Sequence, residues 1–152
     1  DSAALCYWQA HESSKKTLRG DWVVSGDLFH RDADGYFYYD GRADDLLKLG
    51  GIFVSPLEVE GVLLQHEAVL EVAVVGEENA EGLVKGLAFV VVAGGHSPGD
   101  DLARAILAFG KSRLAHYKVP QRVEFVSALP RSDRGKVLRR VLQGRPSSGA
   151  AS

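Results

Sequence analysis

From residue 46 onward, apolar and polar positions follow one another in a readable order. LLKLGGIFVS (46–55) holds two short apolar runs bent at Gly50-Gly51, which predicts two strands joined at the glycines. Ser55-Pro56-Leu57-Glu58 predicts a helix start: a serine able to cap, a proline at the first helical position, and a glutamate placed to complete a capping box. Leu57, Val59, Val62, Leu63 and His66 extend that helix to about His66. VLEVAVVGEE (69–78) and KGLAFVVVA (85–93) are β-branched runs that predict strands. Leu102, Ile106, Phe109 and Leu114 recur at near-helical spacing over 100–116, VEFV (123–126) reads as a short strand, and KVLRRVLQ (136–143) as a terminal helix. The order β-β-α-β-β-α-β-α implies an α+β domain of about one hundred residues.

The first 45 residues have a different character. DLFHRDADGYFYYDGR carries two aromatic-rich runs around Asp34-Gly35, a hairpin signal that a second Asp-Gly at 40–41 brings to an end. Residues 1–26 show no sustained period and read as irregular surface chain. Their Tyr7, Trp8 and Trp22 would be poorly buried if the chain truly started here. The tail GRPSSGAAS (144–152) has nothing to pack and is expected to be disordered.

Composition narrows the classes. The chain has 152 residues, 45% of them hydrophobic, enough for one domain or for a small domain plus part of another. A net charge of −2 argues against a general nucleic-acid binder, which is normally basic. Cys6 is the only cysteine, so an intrachain disulfide framework and a multi-cysteine zinc site are excluded, and a reducing, cytoplasmic setting is expected. No apolar run reaches membrane-spanning length. The chain contains no methionine and opens Asp1-Ser2-Ala3, from which we expect a segment of a longer protein.

Several chemical motifs can be tested directly. LPRSDRGKVLRR (129–140) contains Gly135-Lys136, but Pro130 stands where a Walker loop needs its first glycine and Val137 where it needs Ser or Thr. As a calcium loop, HRDADGYFYYDG (30–41) would have His30 and Gly41 at its first and twelfth positions, where acidic ligands are required, so Asp34-Gly35 is a turn. The five histidines share no metal-like spacing, and no nucleophile motif is present, so no metal site is expected. Arg131, Arg134, Lys136, Arg139, Arg140 and Arg145 form a basic patch whose default reading is solvated surface.

A set of segments in fixed order is more specific. SGDLFHRDADGYFYYDGRADDLLKLGGIFVSPLEVE (25–60) resembles the late motifs of the adenylate-forming enzymes: acyl- and aryl-CoA ligases, peptide-synthetase adenylation domains and luciferases. ALCYWQAHESSKKTLRGDWVVSGD resembles the preceding motif, with Cys6 at a usual glycine, and LPRSDRGKVLRR resembles the final one. The resemblance covers roughly residues 4–142 and is strongest to the benzoate-CoA ligase branch. It implies an enzyme that joins a carboxylic acid to ATP, with Mg2+ accompanying the nucleotide, and then passes the acyl group from AMP to coenzyme A. It further implies that 1–43 end a large AMP-binding domain, that 44–45 are a hinge, and that 46–143 are a small lid containing a β-hairpin and a three-stranded sheet flanked by helices. The phosphate loop and the acid pocket would lie upstream, in that large domain, so this chain alone is expected to be inactive.

Carried over residue by residue, the resemblance makes Asp27 an acceptor for ribose hydroxyls and Arg42 its neighbour, and Asp44 the pivot. Lys48 would swing toward the site in the thioester-forming pose. Gly50 and Gly51 would border the pantetheine channel, and Tyr117 would stack near the CoA adenine. Lys136 would reach the α-phosphate and carboxylate oxygens during adenylation. Phe53 and Val119 depart from basic or polar residues found in some relatives, which bears on the CoA contacts. The implied partners are the large domain and an aromatic carboxylic acid, with neither nucleic acid nor membrane. A lid serving a carrier-protein phosphopantetheine, or a stand-alone interaction module of the same fold, are the alternatives.

Overall fold

The computed structural model describes residues 11–19, 22–79 and 81–144. Cys6, Tyr7, Trp8, Arg145 and the remainder of the tail lie outside the described residues. The chain divides into two compact units, with the boundary between Asp45 and Leu46.

In the first unit, α1 (His11–Thr17) is a helix where irregular chain was expected. It is polar and only seven residues long, so it leaves no apolar period to read. Strands β1 (Leu18–Arg19) and β2 (Trp22–Val23) form a minimal antiparallel pair. The expected hairpin is present as β3 (Asp27–Arg31) and β4 (Phe37–Arg42). Its turn is tied by the Asp32 carboxylate, which accepts the backbone N–H groups of Asp34 at 3.0 Å and Tyr36 at 2.9 Å. Desolvation pushes the Asp32 pKa up, but hydrogen bonds from the Tyr36 backbone, the Tyr38 side chain and the Asp34 and Gly35 backbones outweigh it, and the net direction is down. Asp40-Gly41 does not end the hairpin. It lies inside β4, where Asp40 is the extra residue of a bulge opposite Leu28/Phe29 and Gly41 takes φ +117°, open to glycine and costly to other residues.

The second unit is built on a three-stranded sheet. Strands β7 (Val69–Glu78) and β8 (Val84–Val92) pair antiparallel, and β9 (Arg122–Phe125) joins β8 in parallel. Both long strands read as near-continuous apolar runs because both faces of the sheet are covered. On one face Val72, Val74, Ala88 and Val90 meet Val59 and Leu63 of α2 (Pro56–Leu63), Ile106 of α3 (Asp100–Lys111), and Leu47, Leu49 and Val54 of the β5 (Leu47–Leu49) and β6 (Ile52–Val54) hairpin. On the other, Ala73, Val75, Leu87 and Phe89 meet Leu129 and Leu142, the latter from α4 (Arg139–Gln143). Helices α2 and α3 pack closely at Gly110, where a Cβ would stand 3.2 Å from Leu63 Cδ2.

Element boundaries depart from expectation in instructive ways. Helix α2 ends at Leu63 rather than His66, and Ser55 makes no side-chain cap. Glu58 is unavailable to a capping box because its carboxylate is held by Lys118 Nζ at 2.6 and 2.8 Å. Helix α3 stops at Lys111, followed by a 3-10 turn over His116–Lys118. Most consequentially, α4 begins at Arg139, so Lys136 precedes the helix instead of opening it.

Gly50 and Gly51 form the two-residue β5–β6 turn at φ +55° and +89°, the conformation that two-residue hairpins require. A Cβ at either would meet nothing within 4 Å, so the turn alone accounts for both glycines in this chain. Gly51→Ala is therefore expected to lower stability by about 1–2 kcal/mol through backbone strain. Gly61→Ala, in α2 with equally open space, is expected to raise it by about 0.5–1 kcal/mol. Urea unfolding of the two variants checks both signs.

Candidate functional site

Lys136 sits on a short, tied loop between Arg131 and Val137, which bridge antiparallel. Ser132 N–H donates to the Lys136 carbonyl at 2.8 Å, Gly135 N–H to the Ser132 carbonyl at 2.8 Å, and Lys136 N–H to Ser132 Oγ at 3.2 Å. Gly135 takes φ +78°, which the reversal requires. The polar loop RSDRG suggests flexibility in the sequence, yet these bonds close it on itself. Val137 packs against the second face of the sheet, and the exposed Lys136 side chain has no acidic partner among the described residues. The result is an uncompensated ammonium on a fixed stalk.

The basic patch read from the sequence divides on inspection. Arg131 pairs with Glu71 of β7 at 2.7 Å and also donates to the Gly135 carbonyl at 2.8 Å. Arg139 turns inward: its Nη2 lies 2.8 and 2.9 Å from the two carboxylate oxygens of Glu60. Glu60 is 7% exposed, a buried acid on α2 that the sequence did not single out.

Gly50 and Tyr117 are brought together elsewhere, in a cleft of about 400 Å³ that Val119 also lines. Leu49 and Val119 belong to the first face of the sheet, so this cleft and the Lys136 loop are built on opposite faces of one domain. Three further groups in the cleft, Lys85, Lys111 and His116, were not picked out from sequence, because they come from three separate segments. Tyr117 is 46% exposed, with the Lys118 ammonium 5.9 Å from its ring centroid. The Glu58 hydrogen bond raises the Lys118 pKa against the opposing effect of burial, so this cation stays charged and anchors the turn that carries Tyr117. Lys48 lies outside the cleft lining, exposed on β5 opposite Phe53, which is 64% exposed.

In the first unit, Asp27 and Arg42 face each other directly across the β3–β4 ladder. Arg42 Nη2 donates to the Ser25 carbonyl at 3.5 Å, and no ion pair joins Arg42 to Asp27. Asp44 is exposed in a 3-10 turn, Ala43–Asp45, beside the unit boundary. Among the described residues, no cluster of three His, Cys, Asp or Glu could hold a metal ion, and no helix is long and apolar enough to cross a membrane.

The chain is 46% identical over 138 residues to a benzoate–CoA ligase of Thauera aromatica, covering 91% of this chain and 26% of that protein. A crystal structure of a benzoate CoA ligase from Burkholderia xenovorans LB400 superposes with a TM-score of 0.87 at 47% identity, over 94% of this chain and 28% of that one. An anthranilate CoA ligase in complex with anthranoyl-AMP gives 0.86 at 44% identity, over 93% and 28%. This chain thus spans about a quarter of the length of the relatives it matches. Residues 58–136 match the family described as the AMP-binding enzyme C-terminal domain, and the chain belongs to that family.

Proposed function

We propose that this chain is the lid-bearing part of an AMP-forming aryl-CoA ligase acting on a benzoate-like acid. The observation that carries the reading is the Lys136 ammonium, held out on a tied loop without a counter-ion among the described residues, in a chain so similar to benzoate CoA ligases. When a carboxylate attacks the α-phosphorus of ATP, two anions converge. An ammonium presented there favours the transition state more than the separated reactants, which is the condition for catalysis. Mg2+ is assigned to the nucleotide and enters with it.

Asp27 and Arg42, opposed on one hairpin, are assigned to the ribose, where a carboxylate can accept from both hydroxyls. The cleft on the other face of the lid is assigned to coenzyme A: Gly50 beside the pantetheine, Tyr117 against the adenine, Lys85 and Lys111 toward the phosphates. Gly51 is not part of the cleft lining and is assigned to the same channel as the second residue of the Gly50 turn. Lys48 is assigned to the thioester-forming pose, Asp44 to the pivot between the two half-reactions. The AMP-binding portion of the enzyme, supplied by sequence outside this chain, is the expected partner.

Acid-dependent pyrophosphate exchange by the complete ligase, measured across aromatic and aliphatic acids, tests the reading. Exchange with aromatic acids is the expected result; none with any carboxylic acid would overturn it. Within the same enzyme, Lys85→Ala and Lys111→Ala are each expected to raise the KM for CoA about tenfold, the equivalent of one charged contact of ~1.4 kcal/mol, with pyrophosphate exchange unaltered.

A further inference from the structure

Helix α4 has five residues, too few to persist by its own hydrogen bonds, and the loop that carries Lys136 leads directly into it. Something must hold this segment to the domain. Leu142 anchors the far end of α4 in the second face of the sheet. The near end is held by Arg139, three residues after Lys136, through its contact with Glu60.

The position of Glu60 is unusual. Strand β7 is an edge strand, so every second backbone N–H along it points away from β8. Glu60 Oε1 accepts one of these, from Val74, at 2.8 Å. The same carboxylate grips Arg139, so one buried acid links α2 on the first face, the open edge of β7, and α4 on the second. The loop's other tie, Arg131–Glu71, is far more exposed, with side chains at 46% and 39% against 20% and 9% for Arg139–Glu60. Exposed pairs contribute little and buried ones are costly to break, so the Glu60 contact dominates.

We propose that Glu60 and Arg139 are positioning residues for adenylation, a pair closed around the edge of β7 that fixes where the Lys136 ammonium is presented. The proposal rests on the assignment of Lys136 to the adenylation step. It also explains an odd feature of the guanidinium: Nη2 alone serves Glu60, while the buried Nε has no hydrogen-bond partner among the described residues. A lysine ammonium can take the place of that single nitrogen, so Arg139→Lys is expected to retain function where Arg139→Ala does not.

The test uses the complete ligase and two rates: benzoate-dependent pyrophosphate exchange, and thioester formation from supplied benzoyl-adenylate. Arg139→Ala is expected to slow exchange by roughly 10²-fold, the scale of a misplacement of about 1 Å, while thioester formation stays within about twofold of wild type. Arg139→Lys should recover most of the exchange rate, and Arg131→Ala should lose less than Arg139→Ala. Glu60→Gln keeps an acceptor for Val74 and removes only the charge, so it should shift the same rate in the same direction even if Arg139→Ala does not fold. Equal loss in both half-reactions would mean a purely structural pair and would overturn the proposal, as would unchanged exchange in Arg139→Ala and Glu60→Gln. Lys136→Ala, run alongside, separates the failures. Slow exchange in Lys136→Ala with normal exchange in the pair variants sinks the positioning role alone, whereas normal exchange in Lys136→Ala sinks the lysine assignment with it.

Discussion

Replacing Lys136 with alanine in the complete ligase is expected to reduce pyrophosphate exchange by roughly 10²–10³-fold, the usual cost of deleting one preorganised charge-stabilising group. The geometry favours a large effect. The backbone of Lys136 is held by two hydrogen bonds with Ser132, at 2.8 and 3.2 Å, in a loop that a third bond from Gly135 to Ser132 closes, so little reorganisation is needed when charge develops on the transferring phosphoryl group. The exposed ammonium has no acidic partner among the described residues, so no existing ion pair must be broken first. Substrate binding should change much less than turnover, because the benefit arises where carboxylate and phosphate anions meet. Lys136→Arg keeps the charge but alters reach and shape, and is expected to recover only part of the rate.

The second large effect concerns stability. Glu60→Ala removes the acceptor for the Val74 N–H and leaves Arg139 partly buried without its counter-ion. Breaking a buried pair from one side typically costs ~3–5 kcal/mol. Urea unfolding of the 152-residue chain should show an unfolding free energy lowered by that amount, with Glu60→Gln intermediate because its amide oxygen can still accept from Val74. A Glu60→Ala unfolding free energy within about 0.5 kcal/mol of wild type, roughly a tenth to a sixth of that expected loss, would show that the pair contributes little.

Much of the architecture was legible from pattern alone, because it rests on local rules. The two glycines at 50–51 between apolar runs can hardly be read otherwise, and both long strands were placed to within a residue or so of their ends. Misreadings came where a tertiary partner claimed a residue with a familiar local role. Glu58 looked like half of a capping box and is instead the partner of Lys118, sixty residues away. Asp40-Gly41 looked like the end of the hairpin and lies inside a strand, at a bulge. KVLRRVLQ looked helical from Lys136, but Val137 is drawn into a bridge with Arg131, which delays the helix to Arg139.

The candidate site divides the same way. Lys136, Asp27 and Arg42 were accessible through motif order, and the ladder that sets Asp27 opposite Arg42 follows from the hairpin turn between them. The cleft cations were not accessible, since Lys85, Lys111 and His116 meet only after β8, α3 and the following 3-10 turn have packed. Glu60 was hidden for a further reason. In SPLEVE it reads as one more exposed carboxylate, and only the open edge of β7 and the inward turn of Arg139 reveal it as buried and paired.

Central to the account is a division of labour between the two faces of one small sheet. In the proposed assignment, Lys136 serves adenylation from one and the Gly50–Tyr117 cleft serves the thiol from the other; the packing puts the loop and the cleft on opposite faces. The most direct test is the single-turnover rate at which Lys136→Ala ligase converts supplied benzoyl-adenylate and CoA to benzoyl-CoA. The account predicts a rate within about twofold of wild type, far below the 10²–10³-fold loss expected in adenylation. A thioester-forming rate that falls as far as pyrophosphate exchange would contradict it.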